Sequence, residues 1–140
     1  MEKSKLKLIP TRDESGDSNG YVIPIWNVLE NDYRPDQVYL TAVAPRSVKG
    51  PHLHKVRTGR FTCITGNVTI VTRIEGRYRE DTIGEDHEYA TIIVPTGVPA
   101  AIYNHSTEKT ALVLNMPTPA WSPDNVDEWP VDDWSPSWPA

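Results

Sequence analysis

Short runs of β-branched and aromatic residues, separated by turn-forming residues, constrain the fold of this chain more than any other feature. The runs lie at 5–9, 21–29, 37–44, 60–65, 67–74, 90–95, 100–104 and 110–116. Glycine, proline and small polar residues stand between them, and no long amphipathic helical pattern occurs. Short strands at near-regular spacing are typical of sandwiches and barrels, so the sequence predicts an all-β fold.

The chain changes character after Met116. Residues 117–140 hold six prolines and four of the five tryptophans. Proline interrupts strands and helices, whereas disordered segments contain few aromatic residues. We therefore expect an irregular Pro/Trp-rich segment that lies across the barrel or a partner subunit. The chain is predicted to be one domain, 1–140, with a core at about 20–116 and a covering segment at 117–140.

Composition and charge narrow the class of protein. The single cysteine, the charged start of the chain and the lack of an apolar run near ~18 residues predict a soluble, cytoplasmic protein without a membrane partner. The net charge of −5 argues against a nucleic-acid partner. Residues 49–79 nevertheless contain two lysines and five arginines against one glutamate. This patch suits a small anionic ligand, although an ordinary solvated strand face explains it equally well.

Two histidines one residue apart, His52 and His54, are the main candidates for chemistry. Residues i and i+2 share a face of a strand, so both rings point the same way if this stretch is extended. Such a pair can ligate a metal or act as general acid and base. If that face is outward, the histidines are ordinary surface residues.

Two motifs resemble the signatures of the cupin superfamily. GPHLHKVRTGRFTCITG, residues 50–66, resembles the first signature, and PTGVPAAIYN, residues 95–104, resembles the second. The resemblance implies a double-sheet β-barrel of the jelly-roll type with one site in its mouth. Metal-binding cupins use three histidines and a glutamate, but Gly59 and Ala100 stand at two of those positions. The resemblance therefore implies neither a metal nor another cofactor.

A closer resemblance is to the metal-free cupins that act on nucleotide-linked sugars. KGPHLHK, residues 49–55, is similar to the signature of the dTDP-4-keto-6-deoxyhexose 3,4-ketoisomerases and to a stretch of the dTDP-4-dehydrorhamnose 3,5-epimerases. This implies a metal-independent epimerase or ketoisomerase that acts on a nucleotide-linked 4-keto-6-deoxy sugar through an enolate. The partner would be a nucleotide-diphosphate sugar, and the assembly a homodimer.

The resemblance also implies roles for individual residues. His52 would be the base, His54 its partner or proton shuttle, and Asp133 the carboxylate that orients a histidine. Lys49 would contact the phosphates. The remaining expected substrate-binding residues are Gln37, Tyr39, Lys55, Asn104 and Trp121.

Two positions depart from these enzymes. Gly59 stands where the epimerases have a lysine and the ketoisomerases a glutamine, and Trp121 lies where the epimerases have a catalytic tyrosine. The departures favour a ketoisomerase or a divergent epimerase over a standard 3,5-epimerase. Two alternatives stay open: a small-molecule-binding cupin without catalysis, and a metal-dependent cupin enzyme that uses His52, His54 and a third ligand.

Overall fold

The structure is a computed structural model that describes residues 2–136. In chain order its strands are β1 (Glu2–Lys5), β2 (Ile9–Arg12), β3 (Ser18–Val22), β4 (Tyr39–Val43), β5 (Ser47–His52), β6 (Gly59–Thr65), β7 (Asn67–Ile74), β8 (Arg77–Gly84), β9 (Ala90–Val94), β10 (Ala100–Asn104) and β11 (Ala111–Asn115). Residues 2–136 contain no helix long and apolar enough to cross a membrane.

The strands form two main antiparallel sheets and a small ladder. The five-stranded sheet has the order β1-β9-β6-β11-β4, the four-stranded sheet has the order β5-β10-β7-β8, and β2 pairs with β3. Consecutive strands often lie in different sheets, as expected for a jelly roll. The structure confirms the predicted all-β, cupin-like double-sheet fold.

The main core lies between the two sheets. It is built from inward-facing aliphatic residues such as Ile92 and Val113 of one sheet and Ile70 of the other, all with an exposed fraction of 0%. In β11 buried and half-buried residues alternate, which is the period-2 pattern of a strand with one face on the core. The alternation explains why the β-branched runs predicted these core strands.

A second apolar cluster covers the outer face of the four-stranded sheet. Val71, Ala101 and Tyr103 are buried there against Tyr78 and Trp134. The indole Nε1 of Trp134 donates a hydrogen bond to the Tyr103 hydroxyl at 3.0 Å. The C-terminal segment therefore packs across this sheet. Residues 137–140 of the predicted covering segment, with Trp138, lie outside the described residues.

The hydrophobic pattern missed or misplaced several strands. The run at 21–29 contributes only the end of β3, and the run at 5–9 is interrupted between β1 and β2. The polar strand β8 carried no hydrophobic signal. It forms because Glu75 and Gly76, with φ of 53° and 76°, make a two-residue turn that pairs β8 with all of β7.

Candidate active site

A cavity of about 490 Å³ opens between the two sheets. The apolar part of its wall includes Phe61, Ile70, Val94 and Ile102. Six of the predicted site residues line the cavity: Gln37, Tyr39, Lys49, His52, His54 and Trp121. Arg57, Asn115 and Glu128 also line it. None of the three was a predicted site residue, although Arg57 lies within the first cupin-like motif.

An irregularity in β5 brings Lys49 and His52 to the same cavity. Two residues three apart point to opposite faces of a regular strand. Here His52 pairs with Ala100 and Lys49 pairs with Ile102, so three steps of β5 oppose two steps of β10. Gly50 permits this bulge, because it has a φ of 102° and a Cβ there would lie 2.9 Å from the Ala100 carbonyl oxygen.

The two cupin-like motifs meet at His54. The backbone N–H of Gly97, in the turn of the second motif, donates to the His54 carbonyl at 2.8 Å. The ring of His54 lies beside that of His52, with 6.2 Å between the ring centroids. The structure therefore places both imidazoles together on the cavity wall.

The surroundings of His54 fix its tautomer and favour its neutral form. Its Nδ1 lies 2.6 Å from the backbone carbonyl oxygen of Asp127. Because a carbonyl can only accept, Nδ1 carries the proton and Nε2 keeps its lone pair. Burial lowers the pKa of His54, the bond to Asp127 opposes this in part, and the nearby Arg57 guanidinium lowers it further. Nη2 of Arg57 lies 3.2 Å from Nδ1 and 3.5 Å from Nε2.

Asp127 also holds the loop that follows the histidines. Its carboxylate accepts hydrogen bonds from the backbone N–H groups of Lys55, Val56 and Arg57 at 2.8–3.0 Å, and from the indole of Trp129 at 3.1 Å. Burial raises the pKa of Asp127, but these donors outweigh it and lower the pKa to about 2. One residue of the C-terminal segment thus anchors both the loop and the His54 ring.

Asp133, the carboxylate expected beside a histidine, lies elsewhere. It lines a separate surface groove with Arg73 and Tyr78, and its main-chain carbonyl accepts hydrogen bonds from both side chains. The carboxyl-bearing residue that contacts His54 is Asp127, and it does so through its backbone. Nothing in the sequence distinguishes Asp127 among the five acids of this segment, because the choice depends on how the segment folds back.

Two other expected substrate-binding residues lie outside the cavity lining. The ammonium group of Lys55 lies 3.9 Å from the centroid of the Trp129 ring, a cation–π contact at the surface. Asn104 has an exposed fraction of 2%, and its amide bonds the backbone of Val43, Ser106 and Lys109. Its role in the structure is to hold the connection between β10 and β11.

The C-terminal segment also forms one edge of the cavity. The Gln37 side-chain carbonyl accepts a hydrogen bond from the backbone N–H of Trp121 at 2.9 Å, which ties the indole-bearing residue to the start of β4. Trp121 keeps an exposed fraction of 39%. An exposed indole at the mouth of an apolar cavity can stack on a planar ligand group.

Comparisons with known proteins identify the family. The model of the FdtA family, described as WxcM-like, C-terminal, matches residues 2–124. The chain belongs to this family. None of the curated proteins matches the chain.

Solved structures share the fold at low sequence identity. A dTDP sugar isomerase from Desulfovibrio desulfuricans G20 has a TM-score of 0.78 and 22% identity over 94% of this chain and 85% of its own. QdtA, a sugar 3,4-ketoisomerase from Thermoanaerobacterium thermosaccharolyticum in complex with TDP, has a TM-score of 0.72 and 16% identity over 94% and 88%. A histidine-to-asparagine mutant of QdtA, in complex with TDP-4-keto-6-deoxyglucose, has a TM-score of 0.69 and 15% identity over 88% and 83%. These likenesses show that the fold is shared. The match to the FdtA family confirms the branch of the superfamily that the KGPHLHK motif indicated.

The positions that depart from metal-binding cupins carry no donor atoms in the cavity. Gly59 and Ala100 both line it, and residues 2–136 contain no group of three His, Cys, Asp or Glu side chains placed to hold a metal ion. The donor set therefore does not fit a divalent transition metal. The space beside Gly59 is taken by the Phe61 ring, which comes within 2.5 Å of where a Cβ at position 59 would lie.

Proposed function

We propose that this protein is a metal-independent isomerase of a nucleotide-linked 4-keto-6-deoxy sugar, and specifically a 3,4-ketoisomerase. The observation that carries the proposal is the pair His52 and His54, side by side on the wall of a largely apolar cavity that also contains Lys49 and Arg57. Membership of the FdtA family and the fold shared with sugar isomerases that bind TDP and a TDP-sugar support it.

The chemistry follows from the acidity of a carbon next to a ketone. His52 removes the proton from C3 of the sugar, and the electron pair moves to form a C3–C4 enediolate. A proton then passes from O3 to O4, and C4 receives a proton, so the 4-keto sugar becomes a 3-keto sugar of the same composition. We assign the transfer between the oxygens to His54, because a neutral imidazole with an unprotonated Nε2 can accept a proton and return it.

The remaining cavity residues suit the rest of such a substrate. The positive charges of Lys49 and Arg57 favour a diphosphate. Gln37 and Trp121 lie together at one edge of the cavity, where the exposed indole can stack on a nucleotide base. The apolar wall excludes water from the enediolate and strengthens electrostatic contacts to it.

The test is proton exchange at the sugar in deuterated water. Proton NMR of TDP-4-keto-6-deoxyglucose with the wild type should show loss of the C3 proton and growth of the 3-keto product. His52→Asn should slow exchange by at least about 100-fold, the usual contribution of a general base, while calorimetry shows TDP binding unchanged. His87→Asn, at an exposed turn residue, is the matched control.

Each other outcome has a defined meaning. Unchanged exchange in His52→Asn refutes the assigned base. Inversion at a carbon without migration of the ketone indicates an epimerase. Binding of TDP without any exchange in the wild type refutes the proposed isomerase activity. It supports the alternative of a small-molecule-binding cupin without catalysis.

We further propose that the protein is a homodimer. β4 is an edge strand of the five-stranded sheet, and Val38 and Leu40 beside that edge have exposed fractions of 56% and 54%. Apolar side chains at a strand edge are typical of an interface. Light scattering coupled to size exclusion should give twice the chain mass of 15.8 kDa, and Leu40→Lys should reduce it to the monomer. A monomeric wild type contradicts the proposal.

A further inference from the structure

A hydrogen-bond chain orients one hydroxyl group of the cavity. Tyr39 of β4 and Asn115 of β11 are directly paired residues on neighbouring strands, and both line the cavity. The side-chain oxygen of Asn115 accepts a hydrogen bond from the backbone N–H of Arg60 at 2.9 Å. Because that backbone group can only donate, the orientation of the buried amide is fixed, and its NH₂ group faces the Tyr39 oxygen at 2.8 Å.

This orientation leaves the Tyr39 proton available to a ligand. The phenol oxygen accepts the bond from Asn115, so its own O–H points in another direction. Within the described chain, residues 2–136, no group accepts a hydrogen bond from Tyr39. Tyr39 lines the same cavity as His52 and His54, so its hydroxyl proton is available to an oxygen bound there.

An enolate in this cavity needs such a donor. Gly59 has no side chain to offer, and the Phe61 ring occupies the adjacent space. Among the cations, Arg57 already contacts the Val126 carbonyl through Nη1 and the His54 ring through Nη2. Lys49 is the competing candidate, but a diphosphate is a better partner for its charge.

We propose that Tyr39 is the catalytic hydrogen-bond donor that stabilises the enolate oxygen, and that Asn115 is the positioning residue that aims its hydroxyl. The inference rests on the proposed isomerase function and adds to it the group that replaces a side chain at position 59. A neutral donor held in place before the reaction, in a largely apolar cavity, is an arrangement that stabilises developing negative charge effectively.

Two variants test the pair. Tyr39→Phe removes the donor and should lower the rate of C3 exchange by about 100-fold or more, as loss of one oxyanion donor does, with TDP binding unchanged. Asn115→Asp keeps the shape but replaces the NH₂ group with an acceptor, which turns the Tyr39 proton away from the cavity. It should lower the maximal rate while leaving KM nearly unchanged.

The double variant separates positioning from a structural role. If Asn115 acts through Tyr39, adding Asn115→Asp to Tyr39→Phe should cause no further loss, whereas independent effects would multiply. Tyr33→Phe is the matched control, because Tyr33 packs on Arg60 in a different groove and should leave exchange unchanged.

The results distinguish this inference from the proposed function. Full exchange in Tyr39→Phe, with exchange abolished in His52→Asn, overturns the donor assignment and leaves the isomerase standing. Loss of exchange in Lys49→Gln with normal exchange in Tyr39→Phe assigns the donor to Lys49 and also overturns it. Absence of exchange in the wild type overturns both proposals.

Discussion

Replacing Asp127 with alanine should loosen the loop that follows the two histidines, and Asp133→Ala provides a matched control. Both aspartates lie in the C-terminal segment and both have a left-handed backbone, with φ of 51° and 54°. The backbone cost of alanine, about 1 kcal/mol, is therefore common to the two variants. They differ in the carboxylate, because the hydrogen bonds that Asp133 accepts within residues 2–136 go to its main-chain oxygen.

The carboxylate contribution can be worked from the structure. The lowering of the Asp127 pKa from 3.8 to about 2 corresponds to about 2.5 kcal/mol. The group is partly exposed, so solvent screening reduces this to about 1–2 kcal/mol. Asp127→Ala should thus destabilise the protein by about 2–3 kcal/mol in total and Asp133→Ala by about 1 kcal/mol. The difference corresponds to about 3–6 °C in Tm.

Urea unfolding and calorimetry measure the stability, and C3 exchange measures the consequence for His54. With the carboxylate gone, the segment that supplies the Asp127 carbonyl to His54 loses its three hydrogen bonds to the backbone of the loop. A displacement of about 1 Å in a catalytic group can reduce the catalysed rate about 100-fold. The rate of C3 exchange should therefore fall steeply in Asp127→Ala and stay near normal in Asp133→Ala. Equal stability and equal exchange in the two variants would refute the reasoning.

Three further outcomes follow from the same geometry. The pKa of Asp127 is lower in the folded protein than its ordinary 3.8, so the stability that its carboxylate contributes is complete above about pH 4 and should be lost as the pH falls towards about 2. The free energies of unfolding of the wild type and Asp127→Asn should therefore converge in acid. A constant difference between them would contradict this. Arg57→Gln removes a charge that lowers the pKa of His54, so the NMR titration of His54 should move to higher pH, whereas Arg57→Lys should change it less. Gly59→Gln must displace the Phe61 ring and should cost about 1–3 kcal/mol in urea unfolding, with Phe61→Leu restoring part of it.

The strands of the core could be predicted because the recurrence of apolar residues along each strand reflects its burial. β6, β7, β9, β10 and β11 each face the core, so apolar residues recur along them. β8 could not be predicted in this way, because it is polar and its pairing is decided by the turn before it. The stretch at 23–29 shows the converse, since its apolar residues join no strand: Ile23, Ile25 and Trp26 are half-buried, and Val28 and Leu29 are exposed.

In the candidate site too, some features follow from the local sequence and others depend on the fold. That His52 and His54 share a face follows from strand geometry, and the KGPHLHK motif marked them as functional. The presence of Lys49 in the same cavity depends on the bulge at Gly50, which reverses the expected side. The hydrogen bonds that orient Tyr39 join strands that are distant in the chain, and no local pattern reveals them.

By itself, the sequence determined the all-β class, the cupin-like motifs and the pair of histidines, since each depends on residues close together in the chain. The tertiary structure alone decided which carboxylate anchors the site. Asp127 lies about seventy residues from the loop that it holds, and Asp133 is six residues further along in a segment with the same composition. Only the path of the folded chain brings one of these two carboxylates to the backbone N–H groups of that loop.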